Sequence, residues 1–139
     1  MATVTNQVEE RKPVTRNTIQ RALVLEAVQS LHEHPTSADV YEAVRAKHPN
    51  ISRATVYRNL GVLADKGEVL RVEVAGGADR YDFFNEPHYH ARCRQCGMIF
   101  DVDMPYRSDL TEDVIDSHGF KIEGHQIMFD GVCPDCQKK

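Results

Sequence analysis

The run RYDFFNEPHYHARCRQCGMIFD, residues 80–101, gathers Asp82, His88, His90, Cys93, Cys96 and Asp101, all side chains of metal-binding type. A second Cys-x-x-Cys, Cys133-Pro134-Asp135-Cys136, stands near the end of the chain. The run also marks a change of pattern. Upstream of it apolar residues recur at helical spacing, and downstream short strand-like stretches dominate. A boundary near residues 84–88 is therefore expected, dividing residues 1–84 from residues 85–139.

Upstream, from Thr18, Ile19, Leu23, Val24, Ala27, Val28 and Leu31 form one apolar stripe and predict a helix. His34-Pro35 should end it, because proline disfavours helical backbone in the residue before it. Thr36 or Ser37 opens a second helix, with Asp39 in the capping-box position and Val40, Tyr41 and Val44 inward. Pro49-Asn50 stops it. Ser52 caps a third helix that runs to about Lys66, where Gly67 ends it; its stripe is Val56, Leu60 and Leu63. Val69, Leu70, Val72 and Val74 then predict a strand, Ala75-Gly76-Gly77-Ala78 a turn, and Arg80 to Phe84 the returning strand. Three helices followed by a hairpin is the order of a winged helix-turn-helix, whose third helix enters the major groove of DNA while the hairpin lies along the backbone.

On that third helix Arg58 lies nearly opposite the apolar stripe, Tyr57 flanks it, and Arg53 and Thr55 occupy the first turn. Tyr57 and Arg58 are the candidates for base edges, Arg53 and Thr55 for phosphates or the groove edge, and Arg71 on the wing for the backbone. The plainer readings are that Tyr57 packs beside the stripe and that Arg71 is an ordinary solvated strand residue.

Downstream, Tyr89–Cys93 and Met98–Val102 read as strands. Asp109–His118 reads as a helix with Leu110, Val114 and Ile115 inward, stopped by Gly119. Residues 120–132 read as holding a strand with Ile122, Ile127 and Phe129. The fold class is thus α+β: an N-terminal winged helix-turn-helix domain followed by a small C-terminal α/β domain.

The formal charge of −4 argues against nucleic acid only until the chain is divided. Residues 1–74 hold ten Lys/Arg and nine Asp/Glu, and residues 75–139 hold seven and twelve, so a DNA contact belongs to the first half. Residues 1–12 are polar and unpatterned, as in a frayed end or short arm. With no leader-like start, and no run near the roughly 18 apolar residues of a membrane span, a cytoplasmic location is expected.

Cys93, Cys96, Cys133 and Cys136 have the paired spacing of a tetrahedral thiolate zinc site, each pair forming a knuckle that aims two sulfurs at one ion. Four thiolates leave no open position for a substrate, so this zinc would be structural; the rival reading is two unrelated redox pairs. His88 and His90, two apart on a strand, project from one face. Asp82 and Asp101 flank them, and imidazoles with carboxylates suit iron(II), manganese(II) or zinc. Exposed surface histidines are the plainer reading of His-x-His alone. A zinc hydrolase or deaminase is the enzymatic rival. A deaminase, however, should show His-x-Glu before Pro-Cys-x-x-Cys, and this chain has His88-Tyr89-His90 with its proline after the cysteine.

With Ser52-Arg53-Ala54-Thr55-Val56-Tyr57-Arg58-Asn59-Leu60, the His-x-His and both Cys-x-x-Cys pairs in this order, the chain resembles the ferric uptake regulator superfamily of bacterial metal-dependent repressors from about Arg16 to Cys136. The resemblance implies a non-enzymatic repressor in which the winged helix binds a palindromic operator and the C-terminal domain forms a homodimer. It also implies a regulatory metal at the hinge, held by His34, Asp82, His88, His90 and Asp101, with zinc on the four cysteines. The aspartate of Arg80-Tyr81-Asp82 is most like the peroxide-sensing branch, since iron sensors usually carry glutamate there. In that branch hydrogen peroxide oxidises a histidine ligand of bound iron(II), here His34 first and His88 second, and the operator is released; iron- or zinc-responsive repressors are the near alternatives. Pro87 and Tyr89 stand where many iron sensors draw an additional metal site, which is therefore expected to be absent, although Glu112 and His125 could supply two of its ligands. The usual Thr-Pro-Gln-Arg of the first helix is Thr18-Ile19-Gln20-Arg21 here, without the proline that preorganises a helix start.

Overall fold

Thr15 caps the first helix, its hydroxyl accepting the Thr18 N–H at 3.2 Å, in a computed structural model that describes residues 15–139. The arm expected at residues 1–12 lies outside the described residues. Helix α1 spans Arg16–Ser30 and stops at Leu31, before the His34-Pro35 pair expected to end it. Helix α2, Ser37–Lys47, opens with both halves of the capping box: Thr36 Oγ1 accepts the Asp39 N–H at 3.1 Å, and Asp39 Oδ2 accepts the Thr36 N–H at 3.0 Å. Two orphan amides are thus satisfied, a cap that typically contributes about 1 kcal/mol. Helix α3, Arg53–Asp65, is capped by Ser52, and Gly67 beyond it takes φ 73°, the left-handed conformation that glycine adopts without a Cβ clash.

The stripes of these helices meet. Val24, Val28, Val40, Val44, Val56, Leu60 and Leu63 are buried together, with Val69 and Tyr81 of the hairpin closing the core. Strand β1, Leu70–Val72, pairs antiparallel with β2, Arg80–Asp82, in the register Leu70↔Asp82. The hairpin is tied back to the start of α2 by a bridge between Thr36 and Arg80 and by the Tyr81 N–H donating to the Pro35 carbonyl at 2.9 Å. That tie sets the segment holding His34 against the strand that ends in Asp82.

The second sheet has the order β4-β3-β5. Strand β3, Tyr89–Cys93, runs antiparallel to β4, Ile99–Val102, and parallel to β5, Met128–Gly131. A short helix α4, Pro134–Gln137, follows.

Two expectations for this half fail. In place of a helix over Asp109–His118 there is a single 3-10 turn, Leu110–Asp113, with Val114 44% and Ile115 102% exposed. A ten-residue helix is marginal without a tertiary partner, and among the described residues Val114 and Ile115 find none while Leu110 is only half-buried. The strand expected within residues 120–132 shortens to Met128–Gly131, leaving Phe120 and Ile122 exposed, because β3 offers pairing only to that stretch.

Candidate metal centres

Cys93 ends β3 opposite Gly131 of β5, so the parallel pairing brings the second knuckle to the first across a long gap in sequence. Gly97 takes φ 77° and its N–H donates to the Cys93 carbonyl at 2.8 Å, closing the first knuckle. The Cys96 and Cys133 N–H groups point at Cys93 Sγ, at 3.5 and 3.3 Å. These amides, the Cys133 one foremost, pull the Cys93 thiol down to about 6. Cys136 is pushed up to about 12, chiefly by the proton it shares with Cys133 and then by burial. Four sulfurs this close resist ionising together unless a cation discharges them. The four Sγ atoms lie within 4.8 Å of one another, and Cys96 to Cys133 is 3.8 Å. A tetrahedron with zinc–sulfur bonds of about 2.3 Å has sulfurs about 3.8 Å apart. The donors therefore fit zinc.

The second cluster is assembled from three places. His34 comes from the turn before α2, Asp82 from the end of β2, and His88, His90 and Asp101 from β3, β4 and the residue just ahead of β3. Period-two alternation puts His88 and His90 on one face of the sheet, and the antiparallel register sets Asp101 directly opposite His90. Asp101 Oδ1 stands 2.8 Å from His34 Nε2, 2.9 Å from His88 Nε2 and 3.4 Å from His90 Nε2. Asp82 Oδ2 stands 3.2, 3.0 and 3.7 Å from the same three nitrogens. One atom from each of the five residues thus falls within a 4.8 Å cluster.

Electrostatics and hydrogen bonding at this cluster both suit a cation. Burial of Asp82 opposes ionisation, but the neighbouring His34 and His90 imidazoles and the hydrogen bond from the Phe84 N–H outweigh it and hold the carboxyl well below the usual range. Burial of His34 favours the neutral ring, yet Asp82 and Asp101 win and raise its value; for His88 the Glu86 carbonyl and Asp101 do the same. That carbonyl, 2.7 Å from His88 Nδ1, can only accept, so Nδ1 carries a proton and Nε2 is the nitrogen turned to the cluster. His90 Nε2 is buried with no hydrogen-bond partner. A buried unsatisfied nitrogen costs about 1–3 kcal/mol, and a divalent cation among these donors would satisfy it. The residues fit such an ion.

Two supports of this site carried no role in the sequence reading. Arg80 donates to the His34 carbonyl at 3.1 Å, and Glu86 orients His88. The Arg80 position was visible in the triplet, but a carbonyl acceptor leaves no sequence signal. His34 itself holds φ 51°, a conformation few residues other than glycine adopt. His125 is engaged elsewhere, its Nε2 2.7 Å from the buried Tyr89 hydroxyl.

Of the residues expected to face DNA, Arg53, Tyr57 and Arg58 are exposed on α3, with Tyr57 40% exposed. The Arg53 guanidinium lies 4.6 Å from the Tyr41 ring centroid. Thr55 is half-buried, accepting the Ser52 hydroxyl at 2.8 Å. Arg71 is also half-buried, folded towards the Tyr81 ring at 5.9 Å, with its Nε buried and unpartnered.

Comparison with known proteins gives the family and the fold. The model of the ferric uptake regulator family matches residues 12–130. The peroxide operon regulator of Bacillus subtilis is 39% identical over 124 residues, covering 89% of this chain and 86% of that protein. The crystal structure of the Campylobacter jejuni peroxide stress regulator superposes with a TM-score of 0.64 at 31% identity, over 86% of this chain and 90% of that one. The Helicobacter pylori ferric uptake regulator shares the fold, with a TM-score of 0.70 at 24% identity over 87% of this chain and 81% of its own.

Proposed function

This chain belongs to the ferric uptake regulator family, and we propose that it is a metal-dependent transcriptional repressor which senses hydrogen peroxide at the cluster of His34, Asp82, His88, His90 and Asp101. The observation that carries the reading is the position of His34. It belongs to the helical, DNA-reading part, residues 1–84, yet its Nε2 meets carboxylates of both that part and residues 85–139. A regulatory iron(II) or manganese(II) held there would tie the two domains in one arrangement, in which the paired α3 helices of a homodimer meet successive major grooves of a palindromic operator about 34 Å apart. To move the closed state from 1:99 to 99:1, the ion must bind it about 10⁴-fold better, roughly 5.5 kcal/mol.

On this reading zinc on Cys93, Cys96, Cys133 and Cys136 is structural, pinning β5 and the chain end to β3. Arg53, Thr55, Tyr57 and Arg58 face the DNA, with Arg71 turning outward from the wing on contact. The dimer forms through the opposite face of the C-terminal sheet, where Phe100 and Phe129 flank Ala91 in register and are each 43% exposed. The protein acts as a cytoplasmic regulator and not as an enzyme. Among the described residues no helix is long and apolar enough to cross a membrane.

Iron(II) held by these donors would supply the redox chemistry that activates peroxide. His34 and His88 present the imidazole carbons that take up oxygen, and a ring so modified holds the clamp poorly. Support for peroxide over iron or zinc as the signal comes from Asp82 and from the peroxide regulators among the relatives. The test is operator binding by protein loaded with iron(II) or manganese(II), before and after peroxide, with mass spectrometry of the histidine peptides. Operator release together with a gain of about 16 Da on a His34 or His88 peptide, in the iron form alone, is the expected result. Unmodified histidines would leave an iron- or zinc-responsive repressor instead.

A further inference from the structure

The donor rings of the second cluster touch one another: His34 and His90 lie 5.2 Å apart between centroids, and His88 and His90 4.3 Å. Among the described residues, one aromatic ring outside the donor set also packs on this trio. Phe84 lies 4.9 Å from His88 between ring centroids, tilted by 50°. Its position is fixed from the backbone, since the Phe84 N–H donates to Asp82 Oδ1 at 2.9 Å. A donor aspartate thus holds the phenyl ring against a donor histidine. The ring is 52% exposed, so it is no core residue. Its neighbour Phe83 is 50% exposed, and Phe83 has no such contact with a ligand ring.

We propose that Phe84 is a second site of oxygen insertion, hydroxylated on its ring when the iron-loaded protein meets hydrogen peroxide. This rests on the peroxide-sensing reading above and adds to it a residue that binds no metal. An oxidant generated among His34, His88 and His90 has two kinds of carbon within reach: those of the imidazoles and those of the phenyl ring packed at a tilt against His88. Phenyl rings accept electrophilic oxygen readily, and this one is held in place. The step balances without a further reagent. The peroxide O–O bond breaks, one oxygen enters a ring C–H bond to give C–OH, and the other leaves as water. The ring gives up two electrons, peroxide takes two, and the ion ends in the charge state it began with.

The neighbouring phenylalanines supply an internal control. A freely diffusing oxidant would strike Phe83 and Phe84 alike, because they are equally exposed, whereas an oxidant formed at the cluster would strike Phe84.

The experiment treats the full-length, zinc-replete dimer, loaded with iron(II) or manganese(II), with a small excess of peroxide under anaerobic conditions, and digests it with trypsin. The peptide Tyr81–Arg92 carries Phe83, Phe84, His88 and His90 together. Fragmentation at the labile Glu86–Pro87 bond separates the phenylalanines from the histidines. The expected result is a shift of about 16 Da assigned to Phe84 and not to Phe83, present with iron and absent with manganese. The Phe84→Leu protein should lose that shift and keep the histidine modification. Histidine oxidation with Phe84 untouched would overturn this proposal and leave the sensor reading standing. Equal modification of Phe83 and Phe84, or equal modification with manganese, would overturn it as solution chemistry. No modification of either histidine or phenylalanine would remove both readings together.

Discussion

Arg80 reaches across from β2 to donate to the carbonyl of His34 at 3.1 Å, and so fastens a residue whose backbone sits at φ 51°. That conformation is disfavoured for a side chain with a Cβ, and the guanidinium helps to hold it. The same bond carries the His34 imidazole to Asp82 and Asp101.

Arg80→Ala should therefore weaken regulatory-metal binding without touching the cysteine cluster. A hydrogen bond from a charged donor contributes about 1.5–3 kcal/mol, so manganese(II) affinity should drop at least about tenfold while zinc content stays unchanged. Calorimetric titration together with zinc analysis checks both halves. Unaltered manganese affinity would mean that His34 needs no such anchor.

Cys96→Ser removes one of four donors and leaves three sulfurs that resist ionising together. Zinc content should fall to near zero and the melting temperature should drop sharply, since binding of a structural zinc is worth roughly 10–16 kcal/mol at neutral pH. Metal analysis and thermal unfolding give the answer. A zinc-free variant that is still dimeric and melts normally would refute the structural role.

How far the sequence reveals this molecule depends on whether the deciding interaction is local. The Thr36–Asp39 capping box and the Ser52 cap are legible because both partners lie within one helical turn. The two knuckles are legible for the same reason. His88 and His90 follow from strand periodicity, and the alignment of Asp101 with His90 follows once β3 and β4 pair. By contrast, the meeting of His34 with Asp82 depends on the long-range ties of residues 34–36 to Arg80 and Tyr81, and on a left-handed backbone at a histidine. No local pattern encodes either, so only the family resemblance pointed there. The periodicity of Leu110, Val114 and Ile115 points to apolar burial, but among the described residues no surface covers Val114 and Ile115, and the helix is not formed.

Metal binding at the second cluster should strengthen as pH rises. His34 and His88 hold protons above the ordinary value of 6.5, because the pull of Asp82 and Asp101 exceeds the opposing effect of burial. An entering cation must displace those protons, so manganese(II) affinity should fall as pH is lowered from 8 towards 6, with proton release measurable by titration in buffers of different ionisation heat. In the metal-free chain the sign reverses. The raised histidines contribute stability that is fully present below about 6.5 and is lost as pH rises through their raised values, whereas the lowered Asp82 contributes stability that persists until strong acid protonates it. Affinity that does not vary across this range would remove the two imidazoles from the ligand set.

Phe129→Glu tests the face proposed for pairing. Phe129 and Phe100 flank Ala91 across the sheet, each 43% exposed, and Ile115 is fully exposed. In the isolated chain a glutamate at position 129 meets water, so the fold and both donor clusters should survive. In a dimer buried through this face it would bury an unpaired charge, which costs several kcal/mol per subunit. Sedimentation should then show a zinc-bound monomer, and operator affinity should fall with the loss of paired reading helices. A variant that stays dimeric would place the subunit contact elsewhere on the molecule and would leave the exposure of these apolar side chains without an explanation.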